Sequence, residues 1–376
     1  MSRIALTFAV LAAGHTAADL GFVFAASVVP QVLFMLGGGV LADRLGRRRV
    51  MLVTDASRLG VQGSLAVALF VVLSALLAVG EGFFNPALGG LRAEIAPACL
   101  LPDANALLGV AESATAVLGP ALAGGLVAVT SPALVVALDA ASYGVSAVAL
   151  SRLTVRPACS PEQSPLRDLR DSWAQFRAQT WLWLTTVQFA LFNLFTWAPY
   201  LLLGPILARD YLGGASAWGI ISAAYAGGAV LGGLAMIGRR PRRPLVVAVI
   251  GTFGFPVPCL LLALHAPGYA VSVGALAAGL GSSVFGTLDD TVMQQRIPVA
   301  MLGRVTALTL TGSFALGSLG YAVIGSIAGV LGPTRLLAFA AGYATISSCV
   351  VLAAPAIRSV RWQDEAPSPA GPPAGR

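Results

Sequence analysis

Two glutamates stand inside long apolar runs of the sequence, where a carboxyl group is costly unless it is paired or functional. Glu112 lies in GVAESATAVLGP and Glu81 lies in LLAVGEGFFNPALGG. A carboxyl group in a low-dielectric cavity can bind a proton and release it when the cavity changes its access to water. The two residues therefore predict proton exchange, with Glu112 as the first candidate and Glu81 as the second. The competing interpretation of each is a structural carboxyl group that is hydrogen-bonded near a helix end.

Aromatic and uncharged polar residues within the apolar runs predict a cavity for a small molecule. A large amphipathic ligand suits a cavity that combines aromatic surface with a few polar groups. The candidates for this cavity are Gln31, Phe84, Asn85, Asn193, Trp197 and Phe285. For Trp197 the alternative is a place in the aromatic belt at a membrane surface.

Arginines are concentrated in the segment GGGVLADRLGRRRVM, residues 37–51, where four of the six residues from Arg44 to Arg49 are arginine. Long apolar runs lie on both sides of this segment. Arginine is costly in hydrocarbon and is biased to the cytoplasmic side of a membrane. The segment is therefore predicted to be a short cytoplasmic loop between two membrane helices.

Composition excludes a soluble domain. The 376 residues are 57% hydrophobic and 10% charged, with a mean hydropathy of +0.83, and these values are typical of a polytopic membrane protein. The net charge of +7 is distributed among loops between apolar runs, which indicates membrane topology rather than nucleic-acid binding. Four cysteines without metal-ligand spacing and only two histidines predict neither a metal site nor a cofactor.

The arginine-rich segment resembles the signature of the major facilitator superfamily of secondary transporters, G-x-L-A-D-R-x-G-R-[RK]. The matching residues are Gly39, Leu41, Ala42, Asp43, Arg44, Gly46, Arg47 and Arg48. The resemblance implies that the glycines let two helices approach closely. It also implies that Asp43 and the arginines form a charge network that latches the two halves of the transporter together on the cytoplasmic side, with Arg92 as a partner for Asp43. The alternative is an ordinary stop-transfer cluster of charges.

A second segment, VLGPALAGG at residues 117–125, resembles the fifth-helix motif G-P-x-x-[GA]-G that the superfamily associates with exporters. Its matching residues are Gly119, Pro120, Ala123 and Gly124. Proline frees a backbone carbonyl group, and small residues allow a neighbouring helix to pack closely. Glu112 precedes Gly119 by seven residues, about two helical turns, so the two share a face. Generic packing of small residues is the alternative.

Two stretches depart from the family pattern. Residues 4–13 are too few apolar residues to cross a bilayer of roughly 30 Å, which predicts only a partial first helix. Residues 50–91 form either one span or two short helices with a tight turn near residues 71–74. One span would place the later arginine-rich segments, residues 152–177 and 239–243, outside the cell, against the charge bias. Two helices are therefore favoured.

The predicted fold is an all-α polytopic membrane protein with two pseudo-symmetric helical bundles of the major facilitator type, about 11 spans plus a partial first helix. Residues 1–151 form the N-terminal bundle, 152–180 a cytoplasmic linker with a short interfacial helix, 181–358 a six-helix bundle, and 359–376 a disordered tail. An internal repeat supports two bundles, because LGGLAMIGRRPRRPL at residues 231–245 again runs from a helix end into four arginines, with Met236 in the place of Asp43.

Within the superfamily, three segments resemble the branch of macrolide and enterobactin exporters: ALGGLRAEIAP, DANALLGVAESATAVLGPALAGG and the GRV of residues 303–305. The resemblance implies a secondary active efflux transporter in the cytoplasmic membrane, associated with drug resistance. It would export a small amphipathic molecule, such as a drug, macrolide or siderophore, by alternating access and proton antiport, as a monomer. The alternative is a truncated remnant that does not transport. A membrane enzyme is disfavoured, because paired catalytic carboxylates, HExxH and a nucleophile elbow are missing from the sequence, and a primary pump is disfavoured, because a Walker loop is missing.

Overall fold

Helices build the described part of the chain, because an apolar run in hydrocarbon must satisfy its backbone N–H and C=O groups within itself. The computed structural model describes residues 47–62, 70–97, 99–129, 132–153 and 165–362. Within these ranges the elements are helical and no strand occurs. The prediction of an all-α fold is confirmed.

Four N-terminal helices cover the described residues up to 153. They are α1 (Arg47–Gln62), α2 (Phe70–Ile95), α3 (Leu101–Val129) and α4 (Pro132–Arg152). The stretch of residues 50–91 thus holds two helices, as favoured from the sequence. The tight turn predicted at residues 71–74 is wrong, because these residues belong to the first turns of α2, whose start is uninterrupted apolar sequence.

The linker contains the amphipathic helix α5 (Pro165–Ala178), so the short helix predicted there is confirmed. Its Phe176 is buried in one apolar cluster with Trp181 and Leu182. Trp173 stacks on Phe176 with the ring centroids 5.5 Å apart. Helix α5 is therefore held against the C-terminal helices, and its contact with a membrane surface remains a prediction.

The C-terminal helices begin with α6 (Thr180–Phe192) and α7 (Ala198–Leu207), each followed by a short π-helical segment, Asn193–Trp197 and Ala208–Leu212. Next come α8 (Ala215–Met236), α9 (Pro244–Gly251), a 3₁₀ turn (Thr252–Gly254) and α10 (Pro256–Ala263). The last helices are α11 (Gly268–Arg296), α12 (Val299–Leu331), α13 (Pro333–Ala353) and the short α14 (Pro355–Arg358).

Five helical stretches of the described chain are long and apolar enough to cross a membrane. They are Thr180–Leu212, Ser216–Met236, Pro244–Ala263, Gly268–Arg296 and Pro333–Ala353. Helix α12 adds a sixth if its two parts, Met301–Tyr321 and Val323–Leu331, which meet at a bend of 44°, are taken as one span. The apolar runs of the sequence predict spans at about residues 183–207, 217–238, 245–264, 271–288, 305–330 and 336–357, and the observed positions agree with them apart from one helix end.

One predicted helix end in this region is wrong. The sequence predicts a helix from about Val271 to Leu288, because the acidic pair Asp289 and Asp290 is typical of a helix end outside the hydrocarbon. Instead α11 continues to Arg296. The helix can continue because the carboxylate of Asp290 lies 3.7 Å from a guanidinium nitrogen of Arg92 on α2, and a paired charge is tolerated where an isolated one is not.

Arginines tie helix ends together at one end of the molecule. Arg48 Nε donates to the carbonyl oxygen of Leu150 at 2.7 Å, and Arg296 Nη2 donates to the carbonyl oxygen of Arg361 at 2.9 Å. Arg240 Nη2 donates to the carbonyl oxygen of Cys99. Because Val50, Leu91 and Leu150 share an apolar cluster, the start of α1 and the ends of α2 and α4 also lie here. We call this the arginine-rich end.

Candidate functional site

A polar cavity of about 230 Å³ lies between the N-terminal helices and the C-terminal helices. Helices α2 and α3 form one wall, and α8 and α11 form the other. Its described lining consists of Arg92, Asn105, Gly109, Glu112, Ser113, Tyr225, Ala229, Ser282, Ser283, Gly286, Thr287 and Asp290. The cavity therefore joins the two sets of helices that alternating access would move relative to each other.

Arg92 is the centre of the charged part of this cavity. Its Nη2 donates to Glu112 Oε1 at 3.2 Å, and its Nη1 lies 3.7 Å from Asp290 Oδ2. The side chain of Arg92 is 15% exposed, whereas that of Glu112 is 67% exposed. One guanidinium group thus connects a carboxylate of α3 with a carboxylate of α11, and the glutamate remains accessible to water.

Asn105 closes the cavity towards the arginine-rich end. Its Nδ2 donates to Thr291 Oγ1 at 3.0 Å and to Gln294 Oε1 at 2.8 Å, and all three side chains are buried. These hydrogen bonds join α3 to α11. Buried polar groups without partners are costly, so separating the two helices requires water to replace these bonds.

The second arginine loop, predicted from the internal repeat, contributes a further contact between the two sets of helices. The backbone N–H of Gly238 donates to Asp103 Oδ1 at 2.7 Å, and Arg240 Nη2 lies 3.9 Å from Asp103 Oδ2. Gly238 has a φ of 71°, a conformation that favours glycine. The loop after α8 is thus fixed to the start of α3.

Glycine allows α3 and α8 to touch beside the cavity. A Cβ atom added to Gly233 would lie 2.6 Å from Val110 Cγ2 and 3.1 Å from the carbonyl oxygen of Ala106. Such distances are shorter than ordinary van der Waals contact. The close approach therefore depends on a residue without a side chain at position 233.

The structure brings three of the residues singled out from the sequence close to this cavity. Glu112 and Arg92 line it and contact each other. Phe285 lines an adjoining apolar pocket and stacks on Phe189, with ring centroids 5.9 Å apart. Glu81 lies on α2 and Gly119 lies on α3.

Four other candidates for the ligand cavity do not belong to the described lining of either space, although Trp197 contacts the rings of Tyr225 and Phe255 behind these linings. Asn193 is buried and donates to the carbonyl oxygens of Phe189 at 2.9 Å and Ser313 at 3.2 Å. Trp197 packs against an apolar core of the C-terminal helices. Phe84 packs near the cluster that contains Val50, and Asn85 is half-buried on α2.

Several predicted site residues lie outside the described residues, and others are described only through their helices. The residues outside the described part are Gln31, Gly39, Asp43, Arg44 and Gly46. The residues whose helix is described but whose side chain is not are Glu81, Arg47, Pro120, Ala123 and Gly124. Of the arginine motif, the described member with a side-chain contact is Arg48, whose hydrogen bonds to the carbonyl oxygens of Leu150 and Ser151 join α1 to α4.

Comparison with known families decides the class of this protein. The sequence model of the Major Facilitator Superfamily matches residues 1–321. The chain belongs to this superfamily. It is therefore a multi-pass membrane transporter and not an enzyme.

The sequence similarity to named relatives extends over most of the chain. The chain is 25% identical over 360 residues to the multidrug efflux pump Tap of Mycobacterium tuberculosis, covering 88% of this chain and 84% of the relative. It is 22% identical over 354 residues to macrolide efflux protein A of Streptococcus pyogenes, covering 89% and 86%. The expected resemblance to the superfamily is thus confirmed.

Solved structures support the same fold. The human organic anion transporter MFSD10 matches with a TM-score of 0.74 and 19% identity, over 88% of this chain and 83% of that one. A bacterial homologue of the iron transporter ferroportin, in an outward-facing state, matches with a TM-score of 0.65 and 16% identity, over 88% and 89%. At these identities the likeness establishes the fold alone.

Sequence reasoning missed several polar residues of these two spaces. They include Asn105, Tyr225 and Asp290 in the lining of the polar cavity and Gln188 in that of the adjoining apolar pocket. The partner of Asp290 on α2 is distant in sequence. A signal existed for Gln188, because it is an uncharged polar residue inside the apolar run WLTTVQFALF.

Proposed function

We propose that this protein is a secondary active efflux transporter that exports a small amphipathic molecule by alternating access, driven by proton antiport. The observation that carries the proposal is the charged cluster in the cavity between the two sets of helices, where Arg92 contacts both Glu112 and Asp290. The names of the relatives, a multidrug efflux pump and a macrolide efflux protein, support export of a drug-like, macrolide-like or siderophore-like compound.

The cluster suggests how proton binding and helix movement are linked. An arginine beside a carboxylate favours its charged form. In the conformation described here Arg92 contacts the carboxylates of both Glu112 and Asp290. A movement that separates α2 and α3 from α11 takes Arg92 away from Asp290, whereas Glu112 moves together with Arg92. Arg92 is then left with Glu112 alone, and we propose that Glu112, with Glu81 as a second candidate, releases its proton when the arginine-rich end opens. It binds the next proton while the cavity is open at the opposite end.

Sidedness follows from the arginines. We assign the arginine-rich end to the cytoplasm of the inner cell membrane, because positively charged loops are retained on that side. In this orientation the contacts of Asn105 and Asp103 close the cavity towards the cytoplasm. The motif residues Gly39, Asp43, Arg44, Gly46 and Arg47 are proposed to add to this closure. The division into an N-terminal bundle, residues 1–151, and a C-terminal bundle, residues 181–358, is part of the proposal, as is the monomer.

The alternative of a remnant that does not transport is not favoured. Relatives named as efflux proteins match 88% of the chain or more, and the cavity retains paired charges from both sets of helices. A surviving charged cluster is expected where transport depends on it, since unpaired charges within a membrane are costly.

The experiment compares accumulation of macrolides, dyes and siderophores in efflux-deficient bacteria. Cells carry an empty vector, the intact chain, Glu112→Gln or the matched control Asp210→Asn. Asp210 is about half exposed and pairs with the adjacent Arg209 at 3.1 Å, so it offers a carboxylate outside the cavity lining. We expect the intact chain and Asp210→Asn to lower accumulation of at least one compound, and Glu112→Gln to lose this effect.

Membrane expression of each variant is the control for this comparison. Accumulation equal to the vector, with the intact chain present in the membrane at a normal level, would contradict efflux of the compounds tested. Full efflux by Glu112→Gln would contradict the role of Glu112 in coupling.

A further inference from the structure

A small pocket inside the C-terminal helices adjoins the polar cavity. It has a volume of about 30 Å³, and Ser282 belongs to the lining of both spaces. Four phenylalanine rings supply most of its wall: Phe189, Phe192, Phe255 and Phe285. A single water needs about 10–15 Å³, so the pocket has room for the end of a ligand and not for its body.

The hydroxyl groups of this wall already have partners. Thr252 Oγ1 and Ser348 Oγ lie 2.8 Å apart and share a hydrogen bond. Ser282 is hydrogen-bonded to Tyr225, and Ser347 is hydrogen-bonded to Tyr343. These hydroxyl groups are engaged within the protein and need no ligand.

Gln188 is the exception in the lining. Its side chain is 8% exposed, and among the described residues no donor lies within hydrogen-bonding distance of its Oε1. An unpartnered buried acceptor costs free energy, and such a group calls for a bound donor. The amide oxygen in a wall of aromatic rings therefore defines what the pocket can recognise.

We infer that this pocket is a subsite for the end of the transported molecule, and that Gln188 Oε1 accepts a hydrogen bond from a neutral N–H or O–H group on an aromatic or alkyl body. The donor is neutral because the described lining contains no ionisable side chain, and an uncompensated charge among phenylalanine rings is costly. The inference rests on the proposed function, since Ser282 connects the subsite to the cavity between the two sets of helices.

Recognition would then be divided between two neighbouring spaces. The larger cavity, with Arg92, Glu112 and Asp290, accommodates the polar part of the molecule. The small pocket accepts an apolar end that presents one donor. A molecule of the same size without the donor would leave Gln188 Oε1 unpaired and would bind less tightly.

The test uses two neutral fluorescent compounds, 4-phenylphenol, which has an O–H donor, and its methyl ether, which has none. Their binding to the purified full chain in detergent is measured by fluorescence titration. Gln188→Met removes the acceptor while keeping a similar volume. The matched control is Gln179→Met, the same substitution at a residue outside both described linings, where the amide oxygen already accepts from Trp181 Nε1 at 3.0 Å.

For the phenol, we expect Gln188→Met to weaken binding about five- to tenfold, the size of one buried hydrogen bond. For the methyl ether, the same variant should change binding less than about twofold, and Gln179→Met should change the binding of neither compound by more than about twofold. Comparing each variant with the intact chain removes the difference in detergent partitioning between the two compounds.

Equal effects of Gln188→Met on both compounds would overturn the subsite, and so would no effect on either, as expected if water satisfies Gln188. Because binding is measured on purified protein, a failure of efflux in cells leaves this test intact. Conversely, if the intact chain exports a compound in cells and Gln188→Met still prefers the phenol to the methyl ether, the subsite is refuted and the proposed function is not.

Discussion

Replacing Gly233 by alanine should open the contact between α3 and α8. The added Cβ would lie 2.6 Å from Val110 Cγ2, 3.1 Å from the carbonyl oxygen of Ala106 and 3.2 Å from Ser283 Oγ. Valine in a helix has little freedom at χ1, and the carbonyl oxygen of Ala106 belongs to a helix backbone. The side chain cannot simply turn away, so α3 must move by about 1 Å to restore ordinary contact.

The magnitude follows from overpacking. Extra methyl groups in a packed interface cost about 1–3 kcal/mol. If that cost falls on the conformation with α3 and α8 in contact, it shifts the equilibrium towards the open arginine-rich end by about 5- to 150-fold. Gly227→Ala is the matched control on the same helix, because a Cβ at position 227 would meet nothing within 4 Å.

The assay measures the distance between two spin labels by pulsed electron paramagnetic resonance. One label is attached to the exposed native Cys99 and the other to Arg242→Cys, in a chain whose other cysteines are replaced. Cys99 and the arginine loop lie close together here because Arg240 donates to the carbonyl oxygen of Cys99. We expect a longer distance to gain population in Gly233→Ala and not in Gly227→Ala. Identical distance distributions in the three chains would refute the argument.

Three further predictions concern contacts between helices. Asn105→Ala should destabilise the closed arginine-rich end by about 1–3 kcal/mol, because Thr291 and Gln294 lose their hydrogen bonds to Asn105. The same pair of spin labels would detect the opening, and an unchanged distance distribution would contradict this role of Asn105. Arg48→Gln should lower the midpoint temperature of thermal unfolding, because it removes the hydrogen bonds from α1 to α4. Arg49→Gln, at an exposed position, should have little effect. Equal midpoint temperatures for the two variants would count against a stabilising contact of Arg48 with α4. Gly204→Ala should destabilise the fold by about 1–3 kcal/mol, since the added Cβ would overlap the ring of Trp218. Gly219→Ala has open space at its Cβ and should unfold at the same temperature as the intact chain in a thermal shift assay.

The helical fold could be predicted because its signal is local. Long apolar runs, interrupted by arginine-rich loops, mark helices without any knowledge of their packing, and the C-terminal helices lie close to their predicted positions. The ends were less predictable. Asp289 and Asp290 suggested that α11 stops at Leu288, because a sequence does not reveal that Arg92 on another helix pairs with Asp290.

The candidate site was predicted in part for the same reason. Glu112 can be recognised in the sequence as a charge within an apolar run, and Arg92 as a charge at the end of one. Their mutual contact at 3.2 Å depends on how α2 packs beside α3, which the sequence does not show. Asp43 was the partner expected for Arg92 and lies outside the described residues. The role inferred for Gln188 depends on Phe255 and Phe285, which come from two other segments of the chain. No local sequence pattern brings these residues together.

The central claim is that proton movement through the charged cluster drives export. Its most direct test uses the purified chain in liposomes with an imposed pH gradient and a fluorescent substrate found in the cellular panel. The account predicts transport that depends on the gradient in the intact chain and in Asp210→Asn, and no gradient dependence in Glu112→Gln. Equal transport with and without the gradient in the intact chain would contradict proton antiport.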